Sequence, residues 1–299
     1  MIYNIDSLRR LEHRPFEEYH RRNERFLREP LERLICDYYY LYTRNVLDLK
    51  NPKSYNEKLQ WLKLNWRDEL AIHYTDKLEA KLLVKSKFPE LNIIPTLAIY
   101  DTADAIEFDA LPNEFVMKAT HGSGFNLFVN NKSLVDSGRV KSVFTRILNV
   151  NYGSVKLEWN YSNIKPKIIV EPLYISSGVS PIDYKFYCFH GEVKFVEILN
   201  ACDWHYNHEP VEMIVDKNFN RLNFSYSFNN ELSAPLSPRF IEMVEIAERI
   251  SKPFPHVRVD LYNFSDKVYW GECTFFPSAG YGTFTPREKD IEIGSYLNI

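Results

Sequence analysis

Two stretches of the chain set charged side chains where apolar residues otherwise dominate. In Phe115-Val116-Met117-Lys118-Ala119 a lysine stands near the end of an apolar strand pattern. Thr120-His121-Gly122-Ser123-Gly124-Phe125-Asn126 follows before a second apolar run opens at Leu127. Glycines let the main chain approach an anion and aim successive N–H groups at it, and a lysine ammonium adds a compact charge. The arrangement suits a polyphosphate, and it also fits a tight hairpin with a half-buried lysine. Neither G-x-x-x-x-G-K nor G-x-G-x-x-G is present, so the loop is neither a P-loop nor a dinucleotide fingerprint.

The second stretch is Val257-Arg258-Val259-Asp260-Leu261-Tyr262, followed by a turn and Val268-Tyr269-Trp270-Gly271-Glu272-Cys273-Thr274. Two neighbouring strands thus each carry a carboxylate in an apolar setting, and buried carboxylates require a positive partner. Asp260 and Glu272 together form an oxygen-lined site suited to Mg²⁺ that also touches phosphate. Arg258 shares strand parity with Asp260 and points to the same face. It either pairs with the carboxylates or braces a transferring phosphoryl group beside them.

Composition narrows the classes around this chemistry. The chain has 299 residues, 45% hydrophobic and 26% charged, which describes a folded protein large enough for several subdomains. With 37 basic and 40 acidic residues the net charge is −3, so no global field draws it onto nucleic acid, and an anion site must be local. Twenty Tyr, twenty Phe and five Trp serve mainly packing and also suit stacking on a base or sugar. Cys36, Cys188, Cys202 and Cys273 form no C-x-x-C pair, which fits a reducing cytoplasm and argues against structural zinc. Cys202, His205 and His208 lie close together but match no standard zinc spacing, and His256 reads as structural. The N-terminus lacks the apolar core of a signal peptide, no run approaches a bilayer span, and the expected location is the cytoplasm. Neither a G-x-S-x-G elbow nor a kinase H-R-D signature occurs.

The elements that must position these groups follow from periodicity. Residues 6–45 show helical spacing with interleaved acids and bases, predicting two or three helices with solvated faces. Asn51-Pro52-Lys53-Ser54 reads as a turn, and Ser54 with Glu57 has capping-box spacing. A further helix is expected from an N-cap at Thr75 to about Lys87. Strand patterns then follow at 93–100, 115–119, 127–130, 168–174, 183–189, 193–199, 211–215, 257–262 and 267–274, with helices at 133–149 and 237–251. The short connections His190-Gly191-Glu192 and Phe264-Ser265-Asp266 predict antiparallel hairpins, hence an α+β class with two sheet-bearing lobes.

In order along the chain stand Asn56-Glu57-Lys58-Leu59-Gln60-Trp61-Leu62-Lys63, Thr75-Asp76-Lys77, Phe115-Val116-Met117-Lys118, His121-Gly122-Ser123-Gly124, Asp183-Tyr184-Lys185-Phe186, Arg258-Val259-Asp260-Leu261-Tyr262 and Gly271-Glu272-Cys273-Thr274-Phe275-Phe276-Pro277. In this co-linear set the sequence resembles the TupA-like family of the ATP-grasp superfamily, associated with teichuronopeptide and other surface-polysaccharide biosynthesis. The resemblance implies an ATP-grasp fold in which two α+β lobes sandwich ATP. It implies that Lys77 and Lys118 contact ATP phosphates and that the loop His121, Gly122, Ser123, Gly124, Phe125 and Asn126 closes over them. It further implies that Glu171 and the main chain near Leu173 recognise adenine at a hinge, with a surface strand-end acid as the plainer reading of Glu171. Asp183 falls where the family has an acid near ribose, and Lys185, on the same face, reaches phosphate or substrate. Asp260, Glu272 and Thr274 match the metal site, although Thr274 stands where many ATP-grasp ligases carry asparagine. Arg258 matches the arginine that stabilises the phosphoryl and tetrahedral transition states; the small-residue segment Pro277 to Gly282 that follows fits either a loop lining the acceptor site or an ordinary turn.

The activity implied by the resemblance is ATP- and Mg²⁺-dependent joining of a carboxylate to an amine through an acyl phosphate. Its expected partners are an amino acid and a uronic acid or related glycan precursor. A phosphotransferase acting on a hydroxyl and a non-catalytic nucleotide-binding scaffold are the competing readings. The expected divisions are a helical region at 1–50, a helix-rich segment with the first strands at 51–112, a small lobe with the phosphate loop at 113–172, and a large lobe with the metal site at 173–299. Residues 1–50 either pack on the catalytic lobes, form a homodimer contact or dock a biosynthetic partner.

Overall fold

A computed structural model of the chain describes residues 3–174, 182–200, 211–226, 228, 230–264 and 267–299. Helices come first: α1 (Tyr3–Glu12), α2 (Phe16–Arg28), α3 (Leu31–Thr43), α4 (Tyr55–Asn65), α5 (Glu69–Thr75) and α6 (Glu79–Lys87). Strands β1 (Asn92–Ile93), β2 (Ala98–Tyr100), β3 (Phe115–Ala119) and β4 (Asn126–Val129) lead to α7 (Ser137–Leu148) and α8 (Tyr152–Lys156). β5 (Ile168–Pro172), β6 (Ile182–Phe189), β7 (Glu192–Asn200), β8 (Glu212–Val215) and β9 (Ser225–Tyr226) precede α9 (Phe240–Ser251). β10 (His256–Phe264), β11 (Lys267–Thr274), β12 (Phe284–Thr285) and α10 (Lys289–Gly294) follow.

These elements build two compact units. One comprises Met1–Pro30, Glu69–Ser86 and Ile94–Tyr174; the other comprises Leu31–Asp68, Lys87–Ile93 and Ile175–Ile299. Of the N-terminal helices, α1 and α2 belong to the first unit and α3 to the second. Among the described residues no helix is long and apolar enough to cross a membrane.

Local chemistry explains where elements start and stop. Ser54 Oγ accepts from Glu57 N while Glu57 Oε2 accepts from Ser54 N, the reciprocal cap that the sequence predicts for α4. The helix expected to begin at Thr75 instead divides, because Thr75 closes α5 with its hydroxyl on Ala71 O. Asp76 is the cap of α6, its Oδ1 accepting from Leu78 N and Glu79 N. The strand pattern at 93–100 also splits. Pro95 offers no N–H to a ladder, so β1 joins one sheet and β2 another.

The first unit is built on an antiparallel sheet in the order β2-β5-β3-β4. Phe115, Met117, Ala119, Ile168 and Val170 share one face and pack with Leu127, Phe144 and Ile147. Leu8, Leu11 and Phe16 from the N-terminal helices complete this core. Ser7 Oγ donates to Phe128 O, so α1 lies along the sheet's β4 edge and covers it. Val116, Lys118, Ile169 and Glu171 take the opposite face.

The second unit carries a sheet in the order β1-β11-β10-β6-β7-β8. Its pairs are antiparallel as the hairpins predict, except that β1 runs parallel to β11. Residues 265 and 266 of the predicted turn lie outside the described residues, and β10 and β11 pair on either side of them. One face packs on α9, where Phe240 meets Tyr184 and Phe186. Alternation therefore commits Asp183, Lys185, Tyr187, Arg258 and Asp260 to the other face. A two-stranded sheet joins β9 to β12, and Tyr42 of α3 stacks on Tyr281 at 4.6 Å.

Candidate functional site

In the first unit the loop between β3 and β4 is held by its ends. His121 is buried with Nε2 3.2 Å from Ile147 O, and Phe125 is buried edge-on to Tyr152. Their side chains anchor the loop, leaving Ser123 and Gly124 exposed. Burial pushes the His121 imidazole down to about 4, so at neutral pH it is uncharged. Lys77 Nζ donates to Gly122 O at 2.6 Å. Asn126 pairs with Lys118 across the ladder, and its buried Oδ1 has no hydrogen-bond partner.

Glu171 is not the surface acid of the plainer reading, because it is only 3% exposed and lies between two lysines. Lys118 Nζ stands 2.6 Å from its Oε2, and Lys81 Nζ donates to its Oε1. Burial opposes the carboxylate, but Lys118 and Lys81 more than offset this and hold its pKa below the usual range. Lys81 also donates to Ile94 O and Thr96 Oγ1. It was not singled out in the sequence, where its signal is a lysine amid the apolar positions Ala80 and Val84 of α6. Leu173 follows β5 directly.

In the second unit four charged residues stand in register across adjacent strands: Glu272, Asp260, Lys185 and Glu197. A bulge in β11 sets part of this row. The pairing steps from Asp260↔Glu272 to Leu261↔Trp270, leaving Gly271 extra. A Cβ at Gly271 would stand 2.8 Å from the Tyr262 ring and 2.9 Å from Asp260 O, so the bulge needs glycine. Arg258 forks onto Asp260 with Nε–Oδ1 2.7 Å and Nη2–Oδ2 2.6 Å, and lies 3.5 Å from Glu272. The arginine therefore pairs with the carboxylates. Thr274 Oγ1 accepts from Arg258 and donates to Glu272.

Lys185 reaches Asp183 at 3.0 Å and Asp260 at 3.5 Å. Burial works against its charge, yet Asp183 and Asp260 keep its pKa above the ordinary lysine value. Burial raises Asp260 to about 6 even with Arg258 forked upon it. Beyond Lys185, Glu197 accepts from Tyr187 OH at 2.8 Å and lies against Glu212, which is fully buried and accepts from Tyr226 N. Burial and the neighbouring Glu197 raise Glu212 to about 9, so Glu212 holds its proton at neutral pH. Sequence alternation gave no sign of it, because the two acids meet only once β7 and β8 pair. His256 is buried between Tyr55 OH and Phe275 O, a structural histidine as read. Cys202, His205 and His208 lie outside the described residues.

These side chains fit a magnesium ion. Carboxylates outnumber cations, with Asp183, Asp260 and Glu272 against Lys185 and Arg258. All the donors are hard oxygens. Among the described residues no three His, Cys, Asp or Glu gather as an all-protein metal cage. A magnesium ion takes one or two carboxylates and completes its shell with phosphate and water.

No curated protein matches the chain. Solved structures similar to parts of this chain include the ATP-grasp ligase PsnB complexed with a phosphomimetic variant of its minimal precursor, Mg and ADP, at 13% identity and TM-score 0.43, covering 81% of this chain and 64% of that one. D-alanyl-alanine synthetase A from Vibrio cholerae is similar at 13% identity and TM-score 0.44, covering 75% and 63%. D-Alanine-D-alanine ligase from Helicobacter pylori is similar at 15% identity and TM-score 0.45, covering 82% and 68%. The chain thus spans less than two thirds of the PsnB and Vibrio chains. Assignment rests on the family match, which extends over residues 57–298 and takes in both the glycine loop and the row of charges. The chain belongs to the TupA-like ATPgrasp family, and its α+β architecture is an ATP-grasp fold.

Proposed function

We propose that the protein is an ATP- and magnesium-dependent ligase that activates a carboxylate as an acyl phosphate and passes it to an amine. The observation that carries this reading is the in-register row Glu272, Asp260 and Lys185 with Arg258 forked beside it. Phosphoryl transfer asks for placement and charge neutralisation, not a protein nucleophile, and these residues offer both. The reading assigns Lys77, Lys118 and the main chain from His121 to Asn126 to ATP phosphates. Glu171 and Leu173 serve adenine, and Asp183 serves ribose. Asp260, Glu272 and Thr274 would hold magnesium, which when bound neutralises phosphate charge. Arg258, held on Asp260, steadies the transferring phosphoryl group from that position, and Lys185 meets phosphate or substrate. Family membership supports an amino acid and a uronic acid or similar carboxylate as substrates, in surface-polysaccharide synthesis fed by cytoplasmic ATP.

The test measures ADP release from Mg·ATP across a panel of uronic acids and amino acids, supplied together and singly, with hydroxylamine as a trap for activated carboxyl. Turnover that needs both substrates supports the ligase. ADP formation on a hydroxyl acceptor without amine would make the protein a kinase instead. Glu272→Gln is the informative variant, since the Glu272 side chain is 42% exposed and its loss leaves no buried charge unpaired. It should cut turnover at least roughly a hundredfold with the fold intact. Asp260→Ala would strand the buried Arg258 and cost about 3–5 kcal/mol of stability, which confounds its reading.

A further inference from the structure

We propose that Arg14 is a positioning residue of the glycine loop, fixing the Gly124 carbonyl so that the loop's N–H groups are presented to nucleotide phosphates. The inference rests on the ATP-dependent reading above. Residue 14 precedes the family match, which starts at residue 57, so nothing in the matched motifs assigns it.

Arg14 Nη2 donates to Gly124 O at 2.6 Å, across 110 residues of sequence. Lys77 holds Gly122 O in the same way at 2.6 Å. Two alternate carbonyls of the loop are thus each capped by a cation. In a trans peptide the carbonyl and the next N–H point in opposite directions, so each cap turns the following N–H, of Ser123 or Phe125, away from its cation. Among the described hydrogen bonds the N–H groups of His121, Gly122, Ser123 and Gly124 meet no acceptor. Unpaired successive N–H groups with fixed carbonyls behind them make an anion cradle.

The arginine is itself held in place. It lies in the turn between α1 and α2, flanked by the buried Leu11 and Phe16. Glu12 forks with Arg139 of α7 at 2.8 and 2.5 Å, and Phe16 N donates to Arg14 O at 2.7 Å. Gly124 has φ +75°, the left-handed backbone that favours glycine, and this backbone lies directly against the Arg14 guanidinium. A guanidinium has five donors, and the Gly124 bond takes one of them, leaving charge directed at the loop.

The test compares affinities for Mg·ADP, a non-hydrolysable Mg·ATP analogue and adenosine, with melting temperature as the measure of fold. Arg14→Ala should weaken both phosphate-bearing ligands roughly tenfold, leave adenosine affinity unchanged, and be partly rescued in Arg14→Lys. Arg14→Gln keeps most of the side chain without its charge, and should give the same selective loss even if Arg14→Ala does not fold. Equal loss of adenosine and Mg·ADP, or nucleotide affinities unchanged in both variants, would overturn the role of Arg14 alone. A wild-type protein that binds no adenine nucleotide would overturn the ATP-dependent reading with it.

Discussion

A carboxyl group buried beside a second one keeps its proton, and Glu212 against Glu197 is such a group. Its folded pKa of about 9 lies above the unfolded value near 4.5. Between these values the folded state holds a proton that the unfolded state has released, so stability falls as pH rises through that window. Glu212→Gln keeps the shape without the proton. The wild-type melting temperature should therefore drop more steeply than the variant's between about pH 6 and pH 8, with the variant the more stable at the upper end. A parallel pair of melting curves would remove the buried pair from any account of stability. The same residue marks a limit of legibility. Asp260 and Glu272 stand out because they interrupt apolar strands near other motifs, whereas Glu197 and Glu212 meet through cross-strand register, which single-strand patterns do not encode. Lys81 escapes notice for the same reason, since its meaning comes from Glu171, 90 residues away.

Helix α4 shows what such distances do to a whole element. Its start is legible, because the cap lies within four residues. Its purpose is not. Asn56, Gln60 and Lys63 recur at helical spacing on one face and are buried, and their side chains grip the segment after β11. Asn56 Nδ2 donates to Gly282 O, Gln60 Nε2 to Ala279 O and Gly280 O, and Lys63 Nζ to Ala279 O. That segment carries positive φ at Ser278, Ala279 and Gly280, of 48, 54 and 68°. Two non-glycine residues in this region cost about 1–3 kcal/mol each unless their surroundings impose it, and α4 is what imposes it. Gln60→Leu should remove donors from two buried carbonyls and lower stability by about 2–3 kcal/mol in urea titration. A change below a few tenths would show that the segment holds its shape unaided.

For the molecule as a whole, the fold class was legible through a co-linear set of motifs, and the composition of the units was not. The N-terminal helices illustrate why. Their amphipathic pattern reveals a buried face without naming what covers it, and the structure finds that cover on β4 and α7 for α1 and on α8 for α2. Removing residues 1–30 should therefore withdraw Leu8, Leu11 and Phe16 from the core at about 2–5 kcal/mol apiece and unfold the first unit, read as lost protection in hydrogen exchange. Retained protection of β3 and β4 amides would show the helices to be an appendage. The chain passes from one unit to the other after Pro30, Asp68, Ser86, Ile93 and Tyr174. During synthesis the earliest helices must wait for β5 before their sheet is whole. Lys58, whose ammonium closes on Gly294 O and Leu297 O, waits across more than two hundred further residues. At ribosomal speeds of roughly 5–20 residues per second the nascent chain spends many seconds with apolar faces uncovered, a window in which chaperones would be its natural company.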